Sequence, residues 1–305
     1  MRLGALVRHL RVRLLRDPER LILSEHAGQA PSGGERACVF AHFDPAGRIE
    51  DYVVLHVRKL AELGLEVVFV SSADGLSGAE IAKVLPHCSR VVVRQNFGLD
   101  FGSWKTGIAR IGDPGRLRQL VLANDSVFGP LRDLRPIFAQ MEARKLDLWG
   151  LTESLELGRH LQSYFLVFEQ GALASPYFRE FWGGVGFHLR KSSIIRRGEV
   201  GLSQGALRRG WKIGAFIDGV AVRDAARREP GFEYPDRIDT PGFNLTLFAW
   251  DLLIRDFGFP CLKTEILRQN RFRSGRVAGW RELLGRGGCD YDPELIAQSR
   301  SRYPA

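Results

Sequence analysis

The sequence predicts an α/β domain whose mostly parallel sheet is flanked by helices. Three observations lead there. Short apolar runs alternate along the chain with longer stretches whose apolar residues recur at helical spacing. The short runs are rich in valine, leucine and phenylalanine and show little polar alternation, the pattern of strands covered on both faces. At 305 residues with 45% apolar content, the chain also has material for one large core without needing a second.

Residues 1–16 place Leu3, Leu6, Val7, Leu10 and Leu14 on one helical face and arginines around the rest. This basic amphipathic pattern suits either an anionic bilayer or docking on the protein's own surface. Gly28, Pro31, Gly33 and Gly34 mark residues 25–36 as a flexible connection. The alternating units follow: a strand over Arg36–His42, a helix over Tyr52–Leu63 and a strand over Leu65–Ser71. Ser77, with Glu80 three residues on, opens a helix to Leu85 as a capping box. A strand over Arg90–Arg94, a helix over Asp100–Ile111, a strand over Leu120–Ala123 and a helix over Leu134–Lys145 come next. Leu146–Leu151 and Gln162–Phe168 are further strands. The expected division is an N-terminal helix and linker (1–35), one domain (36–275) and a basic C-terminal tail (276–305).

Composition excludes several classes of function. No run of about 18 apolar residues is present to span a bilayer, and the arginine-punctuated N-terminus lacks the pattern of a secretory signal. Cys38, Cys88, Cys261 and Cys289 are far apart and the seven histidines form no close pairs, so neither a zinc site nor a disulfide framework is expected. A reducing, cytoplasmic setting is the expectation. Of the net charge of +9, residues 1–30 supply +3 and residues 268–302 supply +4. Basic ends suit an anionic membrane surface, although only seven of the 44 basic residues are lysine and arginine-rich coding bias explains them equally. No helix-turn-helix, zinc finger or RNA-binding aromatic motif accompanies the charge, so no nucleic-acid partner is expected.

In doubly wound sheets, ligands bind beyond the carboxyl ends of the strands. Two such ends carry polar chemistry. After Arg90–Arg94 comes Arg94-Gln-Asn-Phe-Gly-Leu-Asp-Phe-Gly-Ser-Trp-Lys105. Here Asn96, Gly98 and Gly102 allow close backbone approach, Asp100 suits a hydroxyl pair, and Lys105 near a helix start suits phosphate. A purely local reading has Asp100 capping the helix. After Leu120–Ala123, the segment Asn124-Asp125-Ser126 sets three oxygen-bearing side chains at the sheet edge, as a hard divalent ion or a phosphate requires, unless Asp125 merely caps a turn. Neither a P-loop nor a Gly-x-Gly-x-x-Gly turn is present.

These motifs in order (Asn-x-Gly-x-Asp-x-x-Ser-Trp-Lys-x-Gly, then Asn-Asp-Ser-Val-x-Gly-Pro-Leu) resemble the rhamnan synthesis protein F family. Three further stretches extend the match, Asp147–Ser154, His160–Phe168 and Gly258–Arg268, so the likeness runs from about residue 37 to 272. It implies a GT-A-like, Rossmann-like nucleotide-sugar-binding fold and a glycosyltransferase of bacterial surface polysaccharide assembly. The expected reaction moves a hexose or rhamnose-like deoxyhexose from a nucleoside diphosphate sugar to a lipid-linked or polysaccharide acceptor at the inner face of the plasma membrane.

On that resemblance Asn96, Gly98, Asp100, Lys105, Asn124 and Ser126 contact the donor. Asp125 stands in for the Asp-x-Asp motif that holds a divalent metal, manganese or magnesium, although a single carboxylate departs from that motif. The segment Gly198–Gly214 looks like the Glu-Asp-x-x-Leu helix of inverting GT-A enzymes, with Glu199 as the general base, three residues before Leu202. An acid favourable to the helix dipole is the plainer alternative. Glu153, His160 and Gln162 are the expected acceptor or sugar contacts. Trp149, Trp182 and Trp250 are expected in the core. The alternative function is a non-catalytic polysaccharide-assembly or glycan-binding module on the same fold.

Overall fold

Residues 17–186, 195–286 and 288–303 are described by the computed structural model; the expected N-terminal amphipathic helix lies outside them. The strands in chain order are β1 (Ile22–Ala27), β2 (Arg36–His42), β3 (Glu66–Ser71), β4 (Arg90–Arg94), β5 (Gln119–Asn124), β6 (Val127–Phe128), β7 (Leu148–Gly150), β8 (Glu153–Ser154), β9 (His160–Leu161), β10 (Phe165–Glu169), β11 (Ile213–Ala215) and β12 (Leu262–Lys263). Eight of them form one sheet in the order β1-β4-β3-β2-β5-β10-β7-β11. The run β4-β3-β2-β5 is parallel throughout, and β11 is parallel to β7. Antiparallel pairings enter through edge strand β1 and through β10, which lies between β5 and β7. Two small ladders, β6–β12 and β8–β9, stand apart from the main sheet.

Strand periodicity sorts β2 between two core layers. Cys38 and Phe40 pack with Tyr52, Val53, Val57 and Leu60 of helix Asp51–Glu62 on one face. Ala37, Val39 and Ala41 pack with Phe101, Trp104 and Ile108 of helix Leu99–Ile111 on the other. That second helix lies very close to the sheet. A Cβ on Gly107 would sit 2.2 Å from Val39 Cγ1, so only glycine permits the approach. Trp104 Nε1 donates to Ala123 O at 3.0 Å and pins the helix to the last turn of β5.

The interior elements follow the sequence pattern closely, and Ser77 does accept from Glu80 N, although its helix stops at Ala82. The ends differ from expectation. Part of the supposed N-terminal connection is β1, whose alternate half-buried and exposed residues mark an edge strand held by Glu25 to Arg90 and Arg110. The supposed C-terminal tail forms helices Trp280–Arg286 and Pro293–Arg302, which bury Trp280, Leu284 and Ile296 against the first core layer. Arg268 Nη2 donates to Ser299 Oγ at 2.6 Å, and Tyr303 OH donates to Asp44 just beyond β2. Thus the basic C-terminal segment closes the domain. Among the described residues no helix is long and apolar enough to cross a membrane.

Candidate active site

The strand order reverses at β2: the chain builds outward through β3 and β4, then returns to place β5 on β2's other side. Such a reversal opens a crevice at the carboxyl ends of the two strands. Register pairs Ala41 with Asn124, so His42 and Phe43 face Asp125 across that crevice. Phe43 N donates to Asp125 Oδ2 at 2.9 Å, Tyr52 OH donates to Asp125 O at 2.9 Å, and His42 Nε2 lies 3.9 Å from Asp125 Oδ2. The Asp125 side chain is only 15% exposed. Burial pushes its carboxyl up to about 8; the Asp100 carboxylate adds to the rise, while Phe43 N–H and Arg268 oppose it. Burial also holds His42 neutral, with its pKa down at about 4, and its Nδ1 meets Ser71 Oγ at 2.9 Å.

The second wall comes from the turn after β4. Gly98 adopts φ +80°, a left-handed conformation that starts helix Leu99–Ile111 at the crevice. Asp100 Oδ2 accepts from Asn124 Nδ2 at 3.0 Å, while Asn124 Oδ1 accepts from Ser126 Oγ at 2.7 Å. The two loops singled out in the sequence are therefore joined directly. Beneath them lies Arg94, fully buried, donating to Ser103 Oγ at 3.0 Å and to Phe97 O. Burial lowers its pKa to about 10, and Asp100 resists that fall. In the same turn Asn96 Oδ1 is buried without a hydrogen-bond partner among the described residues.

The third wall carries Glu199, which lies in a turn of π-helix, Ile195–Val200, rather than in the first turn of helix Gly201–Arg208. Such turns re-aim a side chain relative to the helix they precede. Ser163 Oγ donates to Glu199 Oε1 at 2.6 Å. His160 Nδ1 lies 2.8 Å from Gly158 O, which only accepts, so Nδ1 carries a proton and Nε2 faces Glu199 Oε2 at 3.8 Å.

Lys263 joins the walls. The β6–β12 ladder pairs it with Val127, and Thr264 N donates to Ser126 O at 3.0 Å. This holds the Lys263 ammonium 4.1 Å from the Tyr164 ring centroid and 3.4 Å from Ser126 Oγ. Burial lowers its pKa, opposed chiefly by Glu199, with Glu265, Cys261 and Asp100 contributing. Lys263 and Arg268 both fall within the Gly258–Arg268 stretch, and that was their signal. Their ion-pair and ladder partners lie more than a hundred residues away, which local spacing does not reveal.

Three of the expected contacts also have partners within the protein. Lys105 sits mid-helix and donates to Gly183 O at 3.1 Å and Val185 O at 2.8 Å, binding the last turn of helix Pro176–Gly184. Gln162 has its amide committed within the protein, accepting from Thr152 Oγ1 at 2.6 Å and donating to Asn244 Oδ1 at 3.3 Å. Glu153 pairs with Arg159 at 2.9 Å across the β8–β9 hairpin. Trp149, Trp182 and Trp250 are all core residues, as expected.

The donor set does not by itself make a divalent-metal cage. Among the described residues no three histidine, cysteine, aspartate or glutamate side chains converge. Burial disfavours the ionised form of Asp125 before any ligand binds, and a cation, Lys263, already borders Ser126.

A family model described as "Rhamnan synthesis protein F" matches residues 67–298. The chain is 26% identical over 182 residues to "Uncharacterized protein y4gN" of Sinorhizobium fredii (strain NBRC 101917 / NGR234), covering 58% of this chain and 47% of that protein. It is 26% identical over 198 residues to "Virulence protein VirA" of Vibrio anguillarum (strain ATCC 68554 / 775), covering 60% and 64%. These matches thus span roughly half to under two thirds of the relatives' own lengths. A crystal structure of the galactosyltransferase LgtC in complex with donor and acceptor sugar analogues aligns over 86% of this chain and 99% of that one, at 14% identity and a TM-score of 0.38. The α/β class expected from the sequence, a mostly parallel sheet flanked by helices, is the one observed. With the family model covering most of the chain, this protein belongs to the rhamnan synthesis protein F family.

Proposed function

We propose that this protein is a nucleotide-sugar-dependent glycosyltransferase that moves a hexose or deoxyhexose onto a growing bacterial surface polysaccharide. One observation supports the reading best: Asn124 bonds Asp100 to Ser126 at the sheet's reversal point, and Lys263 over Ser126 lies within electrostatic reach of both Asp100 and Glu199. Family membership names the process, rhamnan synthesis, and the crevice supplies chemistry suited to it.

In this reading the nucleoside diphosphate sugar lies along the carboxyl ends of β2, β4 and β5. Asp100 and Asn96 bind its hydroxyls, and the Asn124–Ser126 edge orients the diphosphate. An acceptor hydroxyl attacks the anomeric carbon as the carbon–oxygen bond to the diphosphate breaks, and its proton passes to Glu199. The hydrogen bond from Ser163 keeps Glu199 aimed at that hydroxyl. An anionic membrane surface with a lipid-linked or polysaccharide acceptor is the proposed setting.

The test is a screen of nucleoside diphosphate sugars for acceptor-dependent release of the nucleotide, with binding measured in parallel. Release with one donor and a glycan acceptor supports the enzyme. Glycan binding with no nucleotide-sugar binding would instead identify a non-catalytic assembly module.

A further inference from the structure

We propose that Lys263 is the cation that receives the donor's diphosphate. The inference rests on the glycosyl-transfer reading above and deepens it by assigning the charge that neutralises the leaving group.

The geometry of the ammonium carries the argument. Lysine has three N–H donors. The hydrogen-bond partner of Lys263 is Ser126 Oγ, at the long distance of 3.4 Å, and its charge rests on the face of Tyr164. Two elements hold the side chain there: the β6–β12 ladder and the Thr264 bonds to Ser126 O. A buried ammonium is costly unless anions surround it, and Glu199, Glu265 and Asp100 are those within electrostatic reach. Its position on the Ser126 edge, in a donor set that forms no metal cage, suits a diphosphate that supplies the missing acceptor oxygens.

Inorganic diphosphate, titrated calorimetrically into the protein in EDTA, tests the assignment. The native protein should bind it without added metal. Lys263→Gln should weaken binding at least tenfold, and Lys263→Arg should retain it within a few-fold. Because the glutamine variant leaves Tyr164 and Ser126 without the ammonium they contact and risks misfolding, a second measurement uses the native chain. Amine-directed acetylation read by peptide mass spectrometry should show Lys263 protected by diphosphate. Binding that requires manganese or magnesium and is indifferent to the glutamine variant, or labelling of Lys263 unaffected by diphosphate, overturns the inference. If no nucleotide sugar supports transfer while diphosphate binding still follows Lys263, the functional reading fails and this assignment stands.

Discussion

Replacing Asp125 by asparagine separates the cost of this carboxyl from its use. In the folded protein its pKa is about 8, against an ordinary 3.8. The native state therefore holds a proton that the unfolded chain releases, and this group's contribution to stability is full below pH 3.8 and lost as pH rises through 8. At pH 7 the difference in proton occupancy corresponds to a penalty of up to about 4 kcal/mol relative to a permanently neutral group, against roughly 0.5 kcal/mol at pH 4. Asparagine is neutral and its Oδ1 keeps the bond from Phe43 N. Asp125→Asn should therefore match the wild type near pH 4 and exceed it increasingly towards pH 7. Urea denaturation across pH 4–8 measures this directly. Parallel stability profiles for the two proteins would refute the claim that this carboxyl is buried at a cost to the fold.

Other substitutions probe individual contacts. Glu199→Gln keeps the bond from Ser163 but removes the basic oxygen, so turnover should fall at least about a hundredfold with donor affinity nearly unchanged, as single-turnover and equilibrium binding assays will read. Gly107→Ala drives a methyl into Val39 at 2.2 Å and should cost about 1–3 kcal/mol in denaturant unfolding. Trp104→Phe removes the bond to Ala123 O, costing about 1 kcal/mol or more and loosening the carboxyl end of β5, visible as faster hydrogen exchange there. Lys105→Met should lower stability through the lost carbonyl contacts and leave donor affinity unchanged; a large drop in affinity would return Lys105 to the site.

The interior of the fold was legible because its signals are local. The near-continuous apolar runs of β2 to β5 announce buried parallel strands, and Ser77 opens its helix where expected. The same rule drew attention to Asn96, Asp100 and Asn124–Ser126, since polar residues straight after buried strands lie at the sheet's carboxyl edge. What escaped depends on tertiary contact. The edge strand β1 has half its residues in solvent and little apolar signature. The C-terminal helices bury one face of an otherwise arginine-rich segment, so charge outweighed amphipathicity in the sequence. Lys105 reads as a phosphate ligand until the carbonyls of Gly183 and Val185 are placed beside it. Lys263 shows its chemistry only when the β6–β12 ladder brings it over Ser126.

The proposed glycosyl transfer, with Glu199 as base, is tested by mass-spectrometric detection of the glycosylated acceptor across a panel of nucleoside diphosphate sugars, comparing the native protein with Glu199→Gln under conditions where both bind the donor. Product should form with the native protein and fall at least about a hundredfold with the variant. Equal product from the two proteins, or no nucleotide sugar bound or consumed by the native one, contradicts it.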